Sequence, residues 1–302
     1  MSGDGDNEKN GAADENECEQ RDRISDKAAL PGTAFADGTK REKQKRRAAA
    51  DDQQPDDERD DERTEKIGLH DLTLPSIAAA IFDFDETMID LEAQHAAADA
   101  GLCRAMGSDY MDMPESFRHS SGRRIVDNIR ELREFFGWNT DEATLFRLRQ
   151  RFFEEACASS DLKLMPGVER VVRELHAAGL RLAITSSAVR AAIETILERF
   201  DLRPCFDVIV DGSEVEHGKP HPEAYEVTAK KLGVSPAECI VFEDSGIGVA
   251  AARSAGMFCI AIPNPTARQK QDLSAADLII NSFERLETAV ITSSRSGRST
   301  RR

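Results

Sequence analysis

Apolar residues beyond position 70 form short continuous runs, and stretches with helical spacing separate these runs. The runs lie at 78–84, 180–185, 206–210, 239–242, 258–262 and 276–280. Continuous apolar runs of this length are typical of strands that are buried on both faces. Strands that alternate with helices form βαβ units, so the pattern predicts an α/β protein whose parallel sheet is covered on both sides.

A long stretch without a strand pattern follows the first predicted strand. Its apolar residues recur at spacings of three and four, as at Ile125 and Ile129, which is typical of amphipathic helices. The sequence therefore predicts a Rossmann-like parallel sheet core at 71–90 and 164–290. A helical cap at 91–163 is inserted after the first strand of this core.

The two ends of the chain lack this ordered pattern. Residues 1–70 contain few large apolar side chains, so they cannot bury enough surface to offset the entropy of ordering. We predict a disordered acidic tail at 1–70 and a disordered, Ser/Arg-rich basic tail at 291–302. A basic run at 40–47 could bind nucleic acid or act as a targeting signal, but acidic residues follow it directly and favour a solvated tail.

Composition narrows the class of partner. The 302-residue chain has a formal net charge of -16, which disfavours binding to nucleic acids and anionic membranes. No apolar run approaches the roughly 20 residues that span a bilayer, and the polar N-terminus is unlike a signal peptide. The six cysteines form no CxxC pair, as expected of reduced, mostly buried thiols. We therefore expect a cytoplasmic protein without nucleic-acid or membrane partners.

Two aspartates, Asp83 and Asp85, stand at the end of the first predicted strand. Residues two apart in a strand point to the same face, and ligands bind at the carboxyl edge of open α/β sheets. Two adjacent carboxylates repel each other unless a cation or a shared proton intervenes. The spacing thus indicates a divalent metal site, an acid/base pair, or both, while an Asp-rich turn remains the simpler alternative.

Further polar groups follow the later strands, namely Ser186, Lys219, Glu243 and Asp244. Alone, each has a structural explanation, as a turn or helix-cap serine, a surface lysine, or acids at a helix N-terminus. Together they would meet the aspartate pair at one sheet edge. Carboxylates suit Mg²⁺, and a lysine with a serine can bind phosphoryl oxygens.

These segments resemble the motifs of the haloacid dehalogenase (HAD) superfamily, in the subgroup that includes β-phosphoglucomutase and phosphoglycolate phosphatase-like enzymes. The segments that resemble its four motifs are 83–87, 182–187, 218–222 and 241–245. The resemblance covers residues 76–288, and that subgroup carries a helical cap between the first two motifs. Position 86 departs from the pattern, since it is Glu where many members have Gly.

The resemblance implies that Asp83 is a nucleophile that forms an aspartyl-phosphate and that Asp85 is the general acid and base. It implies Mg²⁺ as cofactor, held by Asp83, the backbone carbonyl of Asp85 and Asp244. Glu243 is either a further ligand or a residue behind the ligands. Keeping Asp85 favours phosphoryl transfer over hydrolysis of a carbon–halogen bond.

The remaining site residues would contact the substrate. Ser186 and Lys219 would hold phosphoryl oxygens, and the other candidates for substrate binding are Ser187, His95, Arg123 and Arg124. His95 would couple cap closure to chemistry, or else lie on a helix surface. The two arginines would reach a phosphate or carboxylate, or else begin a solvated helix.

The function expected from this resemblance is a Mg²⁺-dependent phosphatase for a small phosphorylated metabolite, such as a sugar phosphate. A phosphohexomutase of the β-phosphoglucomutase type and a non-catalytic binding protein are the alternatives. Residues 246–251 also fit the dinucleotide fingerprint G-x-G-x-x-A. The next strand, however, leads to Pro263-Asn264-Pro265 and not to an acidic residue that could bind a ribose.

Overall fold

The computed structural model describes residues 74–118, 122–265 and 270–294. The basic run at 40–47, the predicted tail at 1–70 and residues 295–302 lie outside the described residues. No helix within these described ranges is both long enough and apolar enough to cross a lipid bilayer.

Within the described residues, six parallel strands form one sheet in the order β3-β2-β1-β4-β5-β6. Their bounds are β1 Ala79–Phe82, β2 Arg181–Thr185, β3 Val208–Val210, β4 Cys239–Glu243, β5 Phe258–Ala261 and β6 Leu278–Ile279. The chain starts in the centre, builds outward through β2 and β3, and then returns to the other side of β1. This reversal opens a crevice at the carboxyl ends of β1, β2 and β4, where α/β sheets bind ligands.

Helices fill the connections between the strands. Those inserted between β1 and β2 are α1 Glu92–Ala105, α2 Glu115–Arg118, α3 Ile125–Phe136 and α4 Glu142–Ala158, followed by α5 Val168–Ala177. The later helices are α6 Arg190–Arg199, α7 Glu223–Leu232, α8 Gly246–Ser254 and α9 Thr288–Ser293. The α/β class, the parallel sheet and the helical insertion after the first strand are thereby confirmed.

The continuous apolar runs follow from the position of β1 inside the sheet. All four of its side chains are fully buried. Ala80 and Phe82 belong to the hydrophobic core on one face of the sheet, and Ala79 and Ile81 belong to the core on the other. The period-two geometry of a strand thus divides one apolar run between two layers.

The cap has a hydrophobic cluster of its own. Leu102, Leu132, Trp138 and Leu145 are among its buried members, so α1, α3 and α4 pack on one another. Phe153, near the end of α4, instead joins the core cluster. The predicted domain boundaries themselves, 71–90 with 164–290 and 91–163, stay predictions.

The boundary predicted for the C-terminal tail needs correction. Helix α9 continues to Ser293, and Ile291 within it is fully buried in the core cluster. The hydroxyl of Ser294 accepts a hydrogen bond from the backbone N–H of Ile77. A single apolar side chain therefore anchors residues that the Ser/Arg-rich composition had assigned to the tail.

Candidate active site

Asp83 lies immediately after β1, because the strand ends at Phe82 and not at the predicted position 84. Its carboxylate is buried and accepts a hydrogen bond from Lys219 Nζ. Lys219 comes from the loop between β3 and α7, and its Nζ also donates to Glu243 Oε1 at 2.6 Å. The structure thus places the predicted lysine between two buried carboxylates.

The Glu243 carboxylate is surrounded by donors. Its Oε1 accepts from Lys219 and from the Tyr225 hydroxyl, and its Oε2 accepts from the backbone N–H groups of Asp244 and Ser245. A Cβ at Gly248 would lie 1.8 Å from Glu243 Oε1, so a glycine is required there. These contacts suit a residue that orients Lys219 better than a direct metal ligand.

This geometry also explains the G-x-G-x-x-A sequence. Residues 246–251 form the first turns of α8, and the Glu243 carboxylate lies against them. A pyrophosphate at this helix N-terminus would meet a carboxylate that already accepts from the nearby N–H groups. The structure therefore offers no dinucleotide site at this turn.

Negative charge exceeds positive charge around Lys219. Ligand atoms of Asp83, Glu243 and Asp244 lie within 4.8 Å of one another, and Lys219 is the cation between them. Burial raises the pKa of Asp83, opposed by the Lys219 ammonium and reinforced by Glu243. Burial, followed by repulsion from Asp83, also raises the pKa of Asp244.

The residues present fit a divalent cation. Three crowded carboxylates with one lysine need further positive charge, and their oxygens are the hard ligands that Mg²⁺ prefers. Thr87 Oγ1 donates to Asp244 Oδ1 at 2.9 Å and orients that carboxylate. The Asp85 carboxylate does not belong to this close group.

Asp85 instead points toward the cap. Its Oδ2 lies 3.5 Å from His95 Nε2, and its Oδ1 is buried without a hydrogen-bond partner among the described residues. On the far side of the imidazole, His95 Nδ1 lies 3.3 Å from Arg149 Nη2. Because arginine only donates, His95 Nδ1 accepts and Nε2 carries the proton that faces Asp85.

The two serines after β2 have different environments. Ser186 is buried, and its Oγ accepts from the backbone N–H of Ala188 at 3.0 Å. Ser187 Oγ donates to the carbonyl of Gly122, in the cap, at 2.7 Å. Ser187, predicted to bind substrate, thus contacts the cap loop.

Arg123 and Arg124 reach the site from the cap. Together with Lys219 they line a cavity of about 340 Å³. Each is paired with an acid of α3, Arg123 with Glu131 at 2.5 Å and Arg124 with Asp127 at 2.7 Å. Arg124 Nη1 also donates to the carbonyl of Val215 in the core. The structure thus brings both arginines to the cavity that Lys219 lines.

Comparison with known proteins agrees with this geometry. A family model described as haloacid dehalogenase-like hydrolase matches residues 77–256. The chain belongs to this enzyme family.

Relatives that are matched over nearly their whole length support the assignment. Protein CbbY of Rhodobacter capsulatus is 32% identical over 71% of this chain and 97% of the relative. Hexitol phosphatase B of Escherichia coli strain K12 is 31% identical over 70% of this chain and 94% of the relative. The structure of CbbY from Rhodobacter sphaeroides in complex with xylulose-1,5-bisphosphate is 27% identical, with a TM-score of 0.61, and covers 68% of this chain and 95% of that one.

Within the HAD-like family, the departure at Glu86 has a structural explanation. Glu86 has a φ of 63°, a left-handed conformation that glycine adopts at little cost. Its buried carboxylate accepts from the backbone N–H of Leu91 at 3.1 Å and from Asn264 Nδ2 in the loop after β5. Burial, with Asp90 and Asp85 nearby, raises its pKa to about 8.

Several groups that shape the site were not predicted from the sequence, namely Thr87, Asp99, Arg149, Tyr225 and Asn264. Arg149 left one detectable signal. It stands at the centre of the buried stripe of α4, between Leu145 and Phe153, where an amphipathic pattern has an apolar residue. A buried arginine needs a partner, and here Asp99 accepts from its Nε at 2.5 Å.

Proposed function

We propose that the protein is a Mg²⁺-dependent phosphatase that hydrolyses a small phosphorylated metabolite, in particular a sugar phosphate, through an aspartyl-phosphate. One observation carries the proposal. The carboxylate of Asp83 is fixed beside Lys219, while the carboxylate of Asp85 faces another way, with one oxygen that has no hydrogen-bond partner in the described part of the chain. Two carboxylates of one loop thus have separate environments, as a nucleophile and an acid/base require.

In the first step an oxygen of Asp83 attacks phosphorus, and the bond from phosphorus to the leaving oxygen breaks. Asp85 gives its proton to that leaving oxygen. In the second step a water attacks phosphorus and loses its proton to Asp85, and the bond from phosphorus to Asp83 breaks. Inorganic phosphate leaves, and both aspartates regain their starting states.

Asp83, Asp244 and the backbone carbonyl of Asp85 would hold the metal. Mg²⁺ neutralises charge between an anionic nucleophile and an anionic phosphate. Lys219 and Ser186 would bind the phosphoryl oxygens as charge develops there. Glu243, held by five donated hydrogen bonds, would keep the Lys219 ammonium in position.

The cavity that cap residues line supports a small phosphorylated metabolite as substrate. The cavity of about 340 Å³ is lined by Arg123, Arg124 and Arg130 in addition to Lys219, and this volume suits a small metabolite. Two acids, Asp127 and Glu131, also line it, and the net positive charge that remains favours a second anionic group on the substrate. The relatives named as a hexitol phosphatase and as a complex with a sugar bisphosphate fit this chemistry.

Phosphate release from a panel of sugar monophosphates and bisphosphates, with and without Mg²⁺, tests the proposal. We expect Asp83→Asn to lower kcat by at least roughly 10³-fold, because the nucleophile is lost. The matched control is Asp161→Asn, whose carboxylate is 84% exposed, and it should keep wild-type turnover. Unchanged turnover in Asp83→Asn would refute the aspartyl-phosphate mechanism.

The same panel distinguishes a phosphohexomutase. That enzyme would interconvert sugar monophosphates, need a bisphosphate activator and release no net phosphate. A protein that binds these ligands without any turnover would be a non-catalytic member of the family.

A further inference from the structure

A second group of metal-ligating side chains lies outside the candidate active site. His217, His221 and Glu223 each offer a ligand atom, and these atoms lie within 4.8 Å of one another. The two imidazole rings lie face to face at a tilt, with centroids 4.7 Å apart. The histidine side chains are 57% and 49% exposed, so an ion can reach them from solvent.

The carboxylate of this group is already oriented. Glu223 Oε1 accepts from the backbone N–H of Glu216, and Oε2 accepts from that of His217, both at 2.9 Å. These bonds lower the pKa of Glu223 to about 2, so the group is ionised at neutral pH. The Nδ1 atoms of His217 and His221 lie 3.0 and 3.9 Å from Oε2.

We propose that His217, His221 and Glu223 form a binding site for one divalent transition-metal ion, with Zn²⁺ as the favoured ion. Two imidazoles and one carboxylate are a ligand set typical of Zn²⁺, with water as the fourth ligand. Mg²⁺ prefers an oxygen-only octahedron. The site with two histidines therefore favours Zn²⁺, and the carboxylates of Asp83 and Asp244 favour Mg²⁺.

The three side chains must move slightly closer together to coordinate Zn²⁺ tetrahedrally. Bonds of about 2.0–2.1 Å in a tetrahedral site place ligand atoms roughly 3.4 Å apart, which is closer than the present upper separation of 4.8 Å. Exposed imidazoles can close this gap by side-chain rotation. His221 would give up the hydrogen bond that its Nδ1 accepts from the Glu223 N–H at 3.3 Å, unless its Nε2 binds the ion.

The proposed zinc site lies on the loop that carries Lys219, so zinc binding should stabilise this loop. Lys219 lies between the two histidines in the chain and reaches Asp83 and Glu243 in the core. An ion bound by His217, His221 and Glu223 would join both ends of this loop to the first turn of α7. Ligands that bind only the folded state stabilise it, so Zn²⁺ should raise the melting temperature.

Zinc titration of the full-length protein tests the site. A chromophoric zinc indicator serves as competitor, and saturating Mg²⁺ occupies the carboxylate group. We expect one Zn²⁺ equivalent that binds at least about tenfold more weakly in His217→Ala and in His221→Ala. The matched control His176→Ala removes an exposed histidine of α5 and should leave the titration unchanged.

Cobalt provides a second measurement. The absorption of Co²⁺ in the visible range should report nitrogen ligands and low coordination number in the wild-type protein, and this band should vanish in His217→Ala/His221→Ala. Metal-free melting temperatures equal to wild type would show that the variants remain folded. Identical zinc titration curves for the wild type and this double variant would overturn the proposal, whatever the outcome of the phosphatase assays.

Discussion

Lys219 and Arg149 are both buried cations, but Lys219 contacts Asp83 directly, whereas Arg149 faces Asp85 across the His95 ring. Lys219 lies between Asp83 and Glu243, and Tyr225 and backbone N–H groups hold Glu243 in turn. Arg149 contacts Asp99 and His95, and its Nη1 is buried without a hydrogen-bond partner among the described residues. Buried groups left unpaired carry a free-energy cost.

The difference separates two halves of the site. In the half around Lys219 the hydrogen bonds to Asp83 and Glu243 come from the sheet core, so these side chains are fixed before substrate arrives. In the half around Arg149 the contacts come from cap helices α1 and α4, and one oxygen of Asp85 has no hydrogen-bond partner within the residues that the structure describes. We infer that the core half determines the chemistry and that the cap half positions the proton donor for a particular substrate.

Of the changes that compare the two halves, Lys219→Met in the core half should have the largest effect on turnover. This change leaves Asp83 and Glu243 buried without their cation, so kcat should fall by about 10²–10³-fold. The free energy of unfolding should fall by about 3 kcal/mol without Mg²⁺ and by less with Mg²⁺. Steady-state phosphate release and urea unfolding measure the two effects.

A matched control for this variant is Lys163→Met, because the Lys163 side chain is 80% exposed. It should preserve both turnover and stability, since exposed ion pairs contribute little. Wild-type kcat in Lys219→Met would contradict the role given to the core half.

Glu86 allows a test of the same half through pH. Its pKa is raised from 4.5 to about 8, so between these values the folded protein binds more protons than the unfolded chain. The free energy of unfolding therefore decreases as pH rises through this window. In Mg²⁺-free urea titrations, the free energy of unfolding of Glu86→Gln should match that of wild type near pH 4.5 and exceed it by roughly 4 kcal/mol near pH 8.

The other carboxylates with raised pKa, Asp83 and Asp244, are present in both proteins, so their contribution cancels in this comparison except for the repulsion between Glu86 and Asp244, which Glu86→Gln removes. Parallel stability curves for wild type and Glu86→Gln would show that Glu86 is ionised in the folded state across the whole range.

The contrast between the halves also explains what the sequence could predict. Asp83, Ser186, Lys219 and Asp244 follow strand ends, and parallel strands bring such positions to one edge. The sheet class followed from the same pattern. The contacts of Arg149 and Tyr225 depend on how distant helices pack, and no spacing along the chain encodes them. The conformation of Glu86 became clear only from its backbone φ, which the sequence does not give. The buried side chain of Ile291 keeps helix α9 ordered beyond the point where the Ser/Arg-rich composition had predicted a tail.

In the cap half, Arg149→Met should lower kcat by about tenfold, an effect of about 1.4 kcal/mol. The variant keeps most of the side-chain volume but removes the donor to His95 Nδ1, so the imidazole no longer has a fixed tautomer toward Asp85. Because the phosphate contacts are unchanged, KM should change little. Arg149→Lys, which retains a donor, should recover part of the loss, and Arg151→Met, which removes a 61% exposed side chain, should lose nothing. Equal kcat values for Arg149→Met and wild type would break the proposed link from the cap to Asp85.

The smallest expected effect concerns substrate choice. Arg123 pairs with Glu131 in a contact that is about one third exposed, so it can turn into the cavity without leaving a buried charge unpaired. Arg123→Gln should raise KM for a sugar bisphosphate about fivefold, an effect of about 1 kcal/mol, with kcat nearly unchanged. For a monophosphate with the same carbon skeleton, KM should stay at the wild-type value, because no distal anion is present. Equal increases of KM for both substrates would place Arg123 at the reacting phosphate, and the division between a chemical core half and a selective cap half would then fail.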